Sequence, residues 1–244
     1  MELKGKRALV TGGAVRIGKA VALALAGQGC AIALHYGRSA SEAKAAAAEV
    51  RALGVDCSLH KADLARAGSV QALGRQVLGH RLGCQILVNS ASIFPRVSLE
   101  EAGPADFDLP YAVNLRAPAL LTQALGLALV RKRQSGRIIN IADVGGRLAW
   151  PGALPYSLSK AGLLQLTRLS AAALAPWVLV NSISPGPMLM PDKHSAAQAR
   201  ASVRRSLLKR LGGPDEIAKA VLYVAGSDFM TGADLIVDGG RSLA

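Results

Sequence analysis

The sequence predicts an α/β protein: a doubly wound, mostly parallel seven-stranded sheet with helices on both faces, in a single domain. Three observations carry that expectation. Short β-branched runs alternate with longer Ala/Leu-rich segments through to the last residues. Parallel strands need crossovers of a dozen or more residues, usually helical, and the spacing supplies them. Runs such as Ile86-Leu87-Val88 are apolar without alternation, as in strands covered on both faces.

The candidate strands are, in order, Arg7 to Thr11, Ala31 to Tyr36, Asp56 to Ala62, Gln85 to Ser90, Arg137 to Ala142, Val178 to Ser184 and Asp234 to Asp238. Between them, apolar residues recur at helical spacing over Ile17 to Gln28, Ser41 to Leu53, Asp106 to Arg131 and Pro155 to Ala175. The irregular stretch from Pro185 to about Arg205 holds Pro185, Gly186, Pro187 and Pro191 and reads as a mobile surface loop.

A chain of 244 residues suits one fairly large domain that can bury a core without metals or disulfides. Half of it (51%) is hydrophobic and only 18% is charged, which excludes a disordered tail and a coiled coil. No apolar run approaches the roughly 18 residues of a membrane span. The first residues enter a strand pattern with no charged-then-apolar leader, so a soluble cytoplasmic protein is expected. Cys30, Cys57 and Cys84 are far apart and lack the spacing of a zinc site, and they read as reduced, mostly buried thiols; no metal is expected. The net charge of +13 points to an anionic partner, either nucleic acid or a phosphorylated cofactor. The cations are spread along the chain, with no aromatic platform or zinc-finger spacing, which argues against nucleic acid.

After the first strand, Thr11-Gly12-Gly13-Ala14-Val15-Arg16-Ile17-Gly18 opens the first helix. Glycine lets a backbone turn sharply and approach a pyrophosphate, and a helix N-terminus offers unpaired N–H groups to that anion. In this position the run is a dinucleotide-site candidate. The second strand ends in His35-Tyr36-Gly37-Arg38-Ser39, with no acid to bond a ribose 2′-hydroxyl. Arg38, with Arg16 from the other side, suits a 2′-phosphate, so NADPH is favoured over NADH. The competing reading makes Arg38 a solvated loop charge and Ser39 to Glu42 a capping box; both roles can hold together.

Tyr156 and Lys160 stand four residues apart, one helical turn along the same face. A phenol titrates near 10, so acid–base work at neutral pH calls for a cation beside it, and Lys160 is placed to serve. His60, His80 and His194 read as ordinary surface or core residues.

Together with Asp63, Asn89-Ser90-Ala91-Ser92, Asn114, Pro185-Gly186 and Val237-Asp238-Gly239-Gly240, these motifs resemble the short-chain dehydrogenase/reductase family over essentially the whole chain. That resemblance implies a Rossmann fold, a nicotinamide cofactor and a homotetramer. Some positions depart from the family's usual pattern. Asp143 stands where most members have a catalytic serine, Arg16 replaces a glycine, Ser90 replaces an asparagine and Met190 stands where many have a threonine. Asp143, Arg16, the His35-to-Ser39 run and the stretch from Asn89 to Phe94 look like pteridine reductases within the family. The resemblance then implies catalysis by Asp143, Tyr156 and Lys160, with Asn114 supporting a water chain. It implies cofactor contacts from Gly12, Arg16, Ile17, Gly18, His35, Tyr36, Arg38, Ser39, Asp63, Leu64, Asn89, Ala91, Lys160, Pro185 and Gly186. Substrate contacts are implied for Ser92, Phe94, Asp143, Tyr156 and Met188, with Phe94 stacking a pterin and the tail from Arg241 reaching toward a neighbouring subunit.

An acid at position 143 should raise the pKa of Tyr156, against Lys160, and add a second group able to pass a proton. Reducing a C=N bond of a dihydropterin or dihydrofolate-like ring puts hydride on carbon and a proton on nitrogen, so the acid favours a heterocycle. The alternatives are a carbonyl reductase such as a 3-oxoacyl-carrier-protein reductase, with Asp143 only filling the serine's hydrogen-bonding role, and a non-catalytic dinucleotide sensor or nucleic-acid binder.

Overall fold

The computed structural model describes residues 1–189 and 203–244. Seven strands, β1 (Arg7–Val10), β2 (Ala31–Tyr36), β3 (Cys57–Lys61), β4 (Ile86–Asn89), β5 (Gly136–Ile141), β6 (Val178–Pro185) and β7 (Asp234–Val237), form one parallel sheet in the order β3-β2-β1-β4-β5-β6-β7. Each expected strand is present to within a residue at either end, and the sheet is parallel throughout. The crossovers are α1 (Arg16–Gly27), α2 (Ala40–Ala52), α3 (Ala67–Leu78), α4 (Pro104–Pro110), α5 (Ala117–Arg131), α6 (Leu154–Leu174) and α7 (Pro214–Gly226). The expected loop over 185–205 falls mainly on residues outside those described, as do Met190 and His194.

Both faces of the sheet are dry. One core gathers Leu25, Ile32, Leu34, Val50, Ile139 and Val221 beneath α1, α2 and α7. The other gathers Leu9, Leu73, Leu87, Leu121, Leu125 and Val180 beneath α3, α5 and α6. The continuous apolar strands follow from this double cover. Cys30, Cys57 and Cys84 are buried, unpaired thiols, and burial raises each pKa to about 11, which makes them inert.

The helix expected over Asp106–Arg131 begins at Pro104 and is not uniform: Tyr111–Arg116 is a π-helical stretch between α4 and α5. Pro110 and Pro118 each lack the N–H that an α-helical ladder needs, and they bracket the wider turn, which buries Asn114. Among the described residues, Pro104–Arg131 is the one helix long and apolar enough to cross a membrane; here Leu121, Leu125 and Leu129 bury its inner face in the core.

The strand order reverses at β1, which pairs with β2 on one side and β4 on the other. Open α/β sheets bind ligands at such a switch point, beyond the carboxyl ends of the strands. Thr11 closes the seam, its hydroxyl accepting the N–H groups of Ser90 and Ala91 at 2.9 and 3.1 Å. His35 fastens the other side of the turn. Its Nδ1 accepts the Gly12 N–H at 3.1 Å, and its Nε2 lies 3.2 Å from the Ala62 carbonyl oxygen. The ring therefore works as a neutral Nε2–H tautomer, and its burial corrects the expectation that it touches cofactor.

Burial lowers the His35 pKa to about 4. The unfolded chain, titrating near 6.5, binds the extra proton first, so stability is full above pH 6.5 and falls as pH drops toward 4. We predict a loss of up to about 3 kcal/mol across that window. Denaturant midpoints at pH 7 and pH 4.5 check it, with the His35-specific part absent in His35→Gln.

Candidate active site

A cavity of about 1000 Å³ opens over the carboxyl ends of β1, β4, β5 and β6. Gly12, Arg16, Ile17 and Gly18 form one wall, Ala91, Ser92 and Phe94 another, and Pro185, Gly186 and Met188 a third; Asp143, Tyr156 and Lys160 sit between them.

The glycine turn fits a dinucleotide. A side chain on Gly18 would place its Cβ 2.1 Å from the Gly12 carbonyl oxygen, so the helix can approach the turn only without one. Val15 gives α1 no side-chain cap, and the first turn contains no acid, so its N–H groups are open to an anion at the cavity wall. Asn89 Oδ1 is buried and has no partner among the described residues, while its Nδ2 donates to Asn140 Oδ1 at 2.8 Å. Arg16 holds a positive φ of 52°, a left-handed conformation that glycine occupies without strain.

Tyr156 and Asp143 form a hydrogen-bonded pair, with Lys160 Nζ beside it, 5.8 Å from the centre of the Tyr156 ring. The Tyr156 hydroxyl donates to Asp143 Oδ2 at 2.7 Å, and Asp143 Oδ1 accepts the Gly145 N–H at 2.6 Å. Lys160 Nζ donates to the Ile141 carbonyl at 2.8 Å. The turn from Val144 to Gly146 makes this possible: Gly146 lies against the backbone of α6, where an added Cβ would come within 2.9 Å of the Lys160 carbonyl carbon. Burial and the Asp143 carboxylate together hold the Tyr156 phenol well above its ordinary value near 10. Burial raises the Asp143 pKa, although the Gly145 N–H and the Lys160 charge oppose it. Burial also pushes Lys160 down to about 8, with Asp143 resisting. The expected lowering of Tyr156 by Lys160 is therefore corrected, whereas the expected rise from Asp143 is present: burial first and the acid second raise the phenol, and the ammonium acts on the acid.

Asn114 is saturated by protein groups. Its Nδ2 donates to the Ile93 carbonyl and to Ser159 Oγ, both at 3.0 Å, while Oδ1 accepts from Ile93 N and Ser92 Oγ. Its side-chain contacts position the Ser92–Phe94 wall. The Phe94 ring stands 4.4 Å from that of Tyr156, with the Arg96 guanidinium 5.6 Å from its centroid and Trp150 edge-on at 6.3 Å.

Tyr36, Arg38 and Ser39 lie at and beyond the end of β2, and Asp63 and Leu64 beyond β3; none of them lines the cavity. Asp63 Oδ1 accepts the Ala65 N–H at 3.0 Å and shapes its own turn. The capping box over Ser39–Glu42 does not form: Ser39 makes no side-chain bond to α2, and Glu42 accepts from Ser41 instead. Sequence reasoning missed Trp150, Arg96 and Arg205 as cavity residues and Gly145-Gly146 as the turn that seats Asp143, and it sent the tail from Arg241 toward a neighbouring subunit, whereas Arg241 lines the cavity of its own chain. The two glycines directly after the acid were the available signal.

A doubly wound sheet with an uncapped glycine turn and a buried Tyr-Lys-Asp unit at its switch point defines a dinucleotide-dependent oxidoreductase. The chain belongs to the short-chain dehydrogenase/reductase family and is an NAD(P)-dependent enzyme of that family. The profile described as enoyl-(acyl carrier protein) reductase matches residues 13–242. A 3-oxoacyl-[acyl-carrier-protein] reductase from Synechocystis is 35% identical, with 98% of this chain and 97% of the relative covered. A short-chain dehydrogenase/reductase from Serratia marcescens superposes with a TM-score of 0.91 at 36% identity, covering 99% of this chain and 100% of that one. A gluconate 5-dehydrogenase from Burkholderia cenocepacia, solved with NADP and tartrate, gives a TM-score of 0.91 at 30% identity over 100% and 98% of the two chains.

Replacing Asn114 with Ala removes four side-chain hydrogen bonds and leaves buried groups unpaired, so we predict a loss of about 2 kcal/mol, measured by urea unfolding.

Proposed function

We propose that the protein is an NADPH-dependent reductase of a planar nitrogen heterocycle of the dihydropterin type. The observation that carries this reading is the hydrogen bond between Tyr156 and the buried Asp143, where a serine would offer only a hydroxyl. NADPH, when bound, supplies the hydride. In the ionised pair the phenol's only proton is committed to Asp143. Once Asp143 carries its own proton, it can donate to the phenol oxygen, and the Tyr156 O–H becomes free to protonate a substrate nitrogen or oxygen. Tyr156 then takes the Asp143 proton in its place, so the pair acts as a two-step relay. Phe94 and Trp150 border the space with aromatic faces and edges that suit a flat ring. Arg16 and Arg38, with no acid at the end of β2, support a 2′-phosphate.

A second reading is reduction of a ketone such as a 3-oxoacyl thioester. It is favoured by the names of the relatives, which are carbonyl reductases and dehydrogenases rather than pteridine reductases. Exposed Leu127 on α5 and Leu158 and Leu169 on α6 support burial against further copies, and we infer a homotetramer. The unpaired thiols support residence in the reducing cytoplasm.

With purified enzyme, a dihydropterin should oxidise NADPH at 340 nm faster than an acetoacetyl thioester does, and Asp143→Ala should cut kcat about 100-fold. Turnover of the thioester alone would decide for the ketone. Because Asp143 must be protonated for Tyr156 to donate outward, and burial raises its pKa, reduction should slow as pH rises from mildly acidic toward alkaline values. Asp143→Asn, with a permanent N–H donor, should flatten that limb of the kcat profile. Arg16→Gly relieves the left-handed strain and should gain up to about 1 kcal/mol of stability. The same change should raise KM for NADPH about tenfold and leave that for NADH nearly unchanged.

A further inference from the structure

The cavity wall contains cations that neither the proton relay nor the glycine turn uses. Arg205 and Arg241 both line it, brought together from distant parts of the chain. Ser206 Oγ donates to the Gly239 carbonyl at 3.3 Å, and Leu208 N donates to the same oxygen at 3.1 Å, so the segment carrying Arg205 is fastened to the turn that leads into Arg241. Asp238 closes that turn: its carboxylate accepts the N–H groups of Gly240 and Ser242 at 2.8 and 2.7 Å. Among the described residues, neither guanidinium has a carboxylate partner within salt-bridge distance. Among the described residues, Asp143 is the one carboxylate on the wall, and it is committed to Tyr156 and Gly145.

Position separates these arginines from the dinucleotide's phosphates. The glycine turn follows β1, whereas Arg241 follows β7, four strand spacings or roughly 19 Å across the sheet. Tyr156 and Asp143 lie between the two ends, on the elements that follow β5. A molecule whose ring meets Tyr156 can therefore extend a tail to Arg205 and Arg241 without crossing the pyrophosphate.

We propose that Arg205 and Arg241 form an oxyanion subsite for the substrate's tail, so that the preferred substrate carries a phosphate or carboxylate remote from the reduced ring. For the identity of the ring this rests on the heterocycle reading above; the subsite itself does not. Arginine forks match either anion bidentately, and a terminal anion gives a large part of the binding energy without touching the reacting atoms.

The test compares wild type, R205Q/R241Q, and R131Q/K132Q, a control in which two exposed cations at the far end of α5 are removed. Calorimetry of NADP⁺-saturated protein with inorganic pyrophosphate, and separately with glutarate, distinguishes phosphate from carboxylate. At least one of these anions should bind about tenfold more weakly to R205Q/R241Q and unchanged to the control. Equal affinity in wild type and R205Q/R241Q for both anions overturns the subsite. In kinetics, the ratio of KM for a neutral dihydropterin to KM for its phosphorylated or glutamylated counterpart should fall about tenfold in R205Q/R241Q. If no pterin turns over, the ring reading fails, and the same ratio is taken between a neutral N-acetylcysteamine thioester and the corresponding coenzyme A thioester. An unchanged ratio, or an equal weakening of NADPH binding in R205Q/R241Q, assigns the arginines elsewhere and overturns the proposal.

Discussion

The seam between β1 and β4 is the constraint from which the active site follows. A parallel sheet that winds outward in both directions from β1 must leave a crevice where the connections leaving β1 and β4 part to opposite faces. Thr11 bridges that crevice at its base by accepting two backbone N–H groups from the chain leaving β4, and His35 holds the glycine turn from the β2 side. One wall of the cavity is thereby tied to the other before any ligand enters. The chain leaving β4 goes directly on to Ser92 and Phe94, so the same seam fixes the substrate wall, with Asn114 bracing it from the π-helical stretch.

The chemistry depends on water being kept out. In water, a carboxylic acid and a phenol differ by about six units of pKa and would share a proton poorly. Burial moves the carboxyl group and the phenol upward together, so the proton of the ionised pair stays on Tyr156 and is held in its hydrogen bond to Asp143, while Lys160, itself partly suppressed, limits the rise of the acid. The proximity also requires two adjacent glycines, because Trp150 covers Gly145 and the backbone of α6 meets Gly146. A larger residue at either place would open the unit to solvent or push Asp143 away from Tyr156.

Much of this architecture was legible in the sequence, and the reasons are specific. Strands buried on both faces read as unbroken apolar runs, and helices between them as periodic ones, so the seven strands and the helices α1, α2, α6 and the α4–α5 stretch could be placed from pattern, while α3 and α7 were not named. Patterns of polarity were less informative. His35 directly precedes the Tyr36-Gly37-Arg38 run and reads like part of a phosphate site, yet it faces inward because strand residues alternate sides and the glycine turn needs an acceptor. Arg7 and Arg137, at the starts of their strands, are buried, Arg7 with its guanidinium on the Val77 and Gly83 carbonyls and Ser58 Oγ, and Arg137 on Asp228, which no local pattern announces. The π-helical stretch has no periodic signature, since two prolines can equally kink or end a helix. Asp143 carried meaning only against the family's usual serine; nothing in its local sequence says that it will meet Tyr156.

The net charge of +13 gave a sign without a location. In the structure, Arg16, Arg205 and Arg241 line a single cavity together with Lys160, and among the described residues Asp143 is the one carboxylate on its wall. Such a concentration is costly in the absence of an anion, because like charges around a partly enclosed, low-dielectric space repel more strongly than on an open surface. A dinucleotide diphosphate answers the charges near β1. Arg205 and Arg241 lie beyond β7, four strands away from the glycine turn, and under the proposed subsite it is the substrate's own anion that answers them.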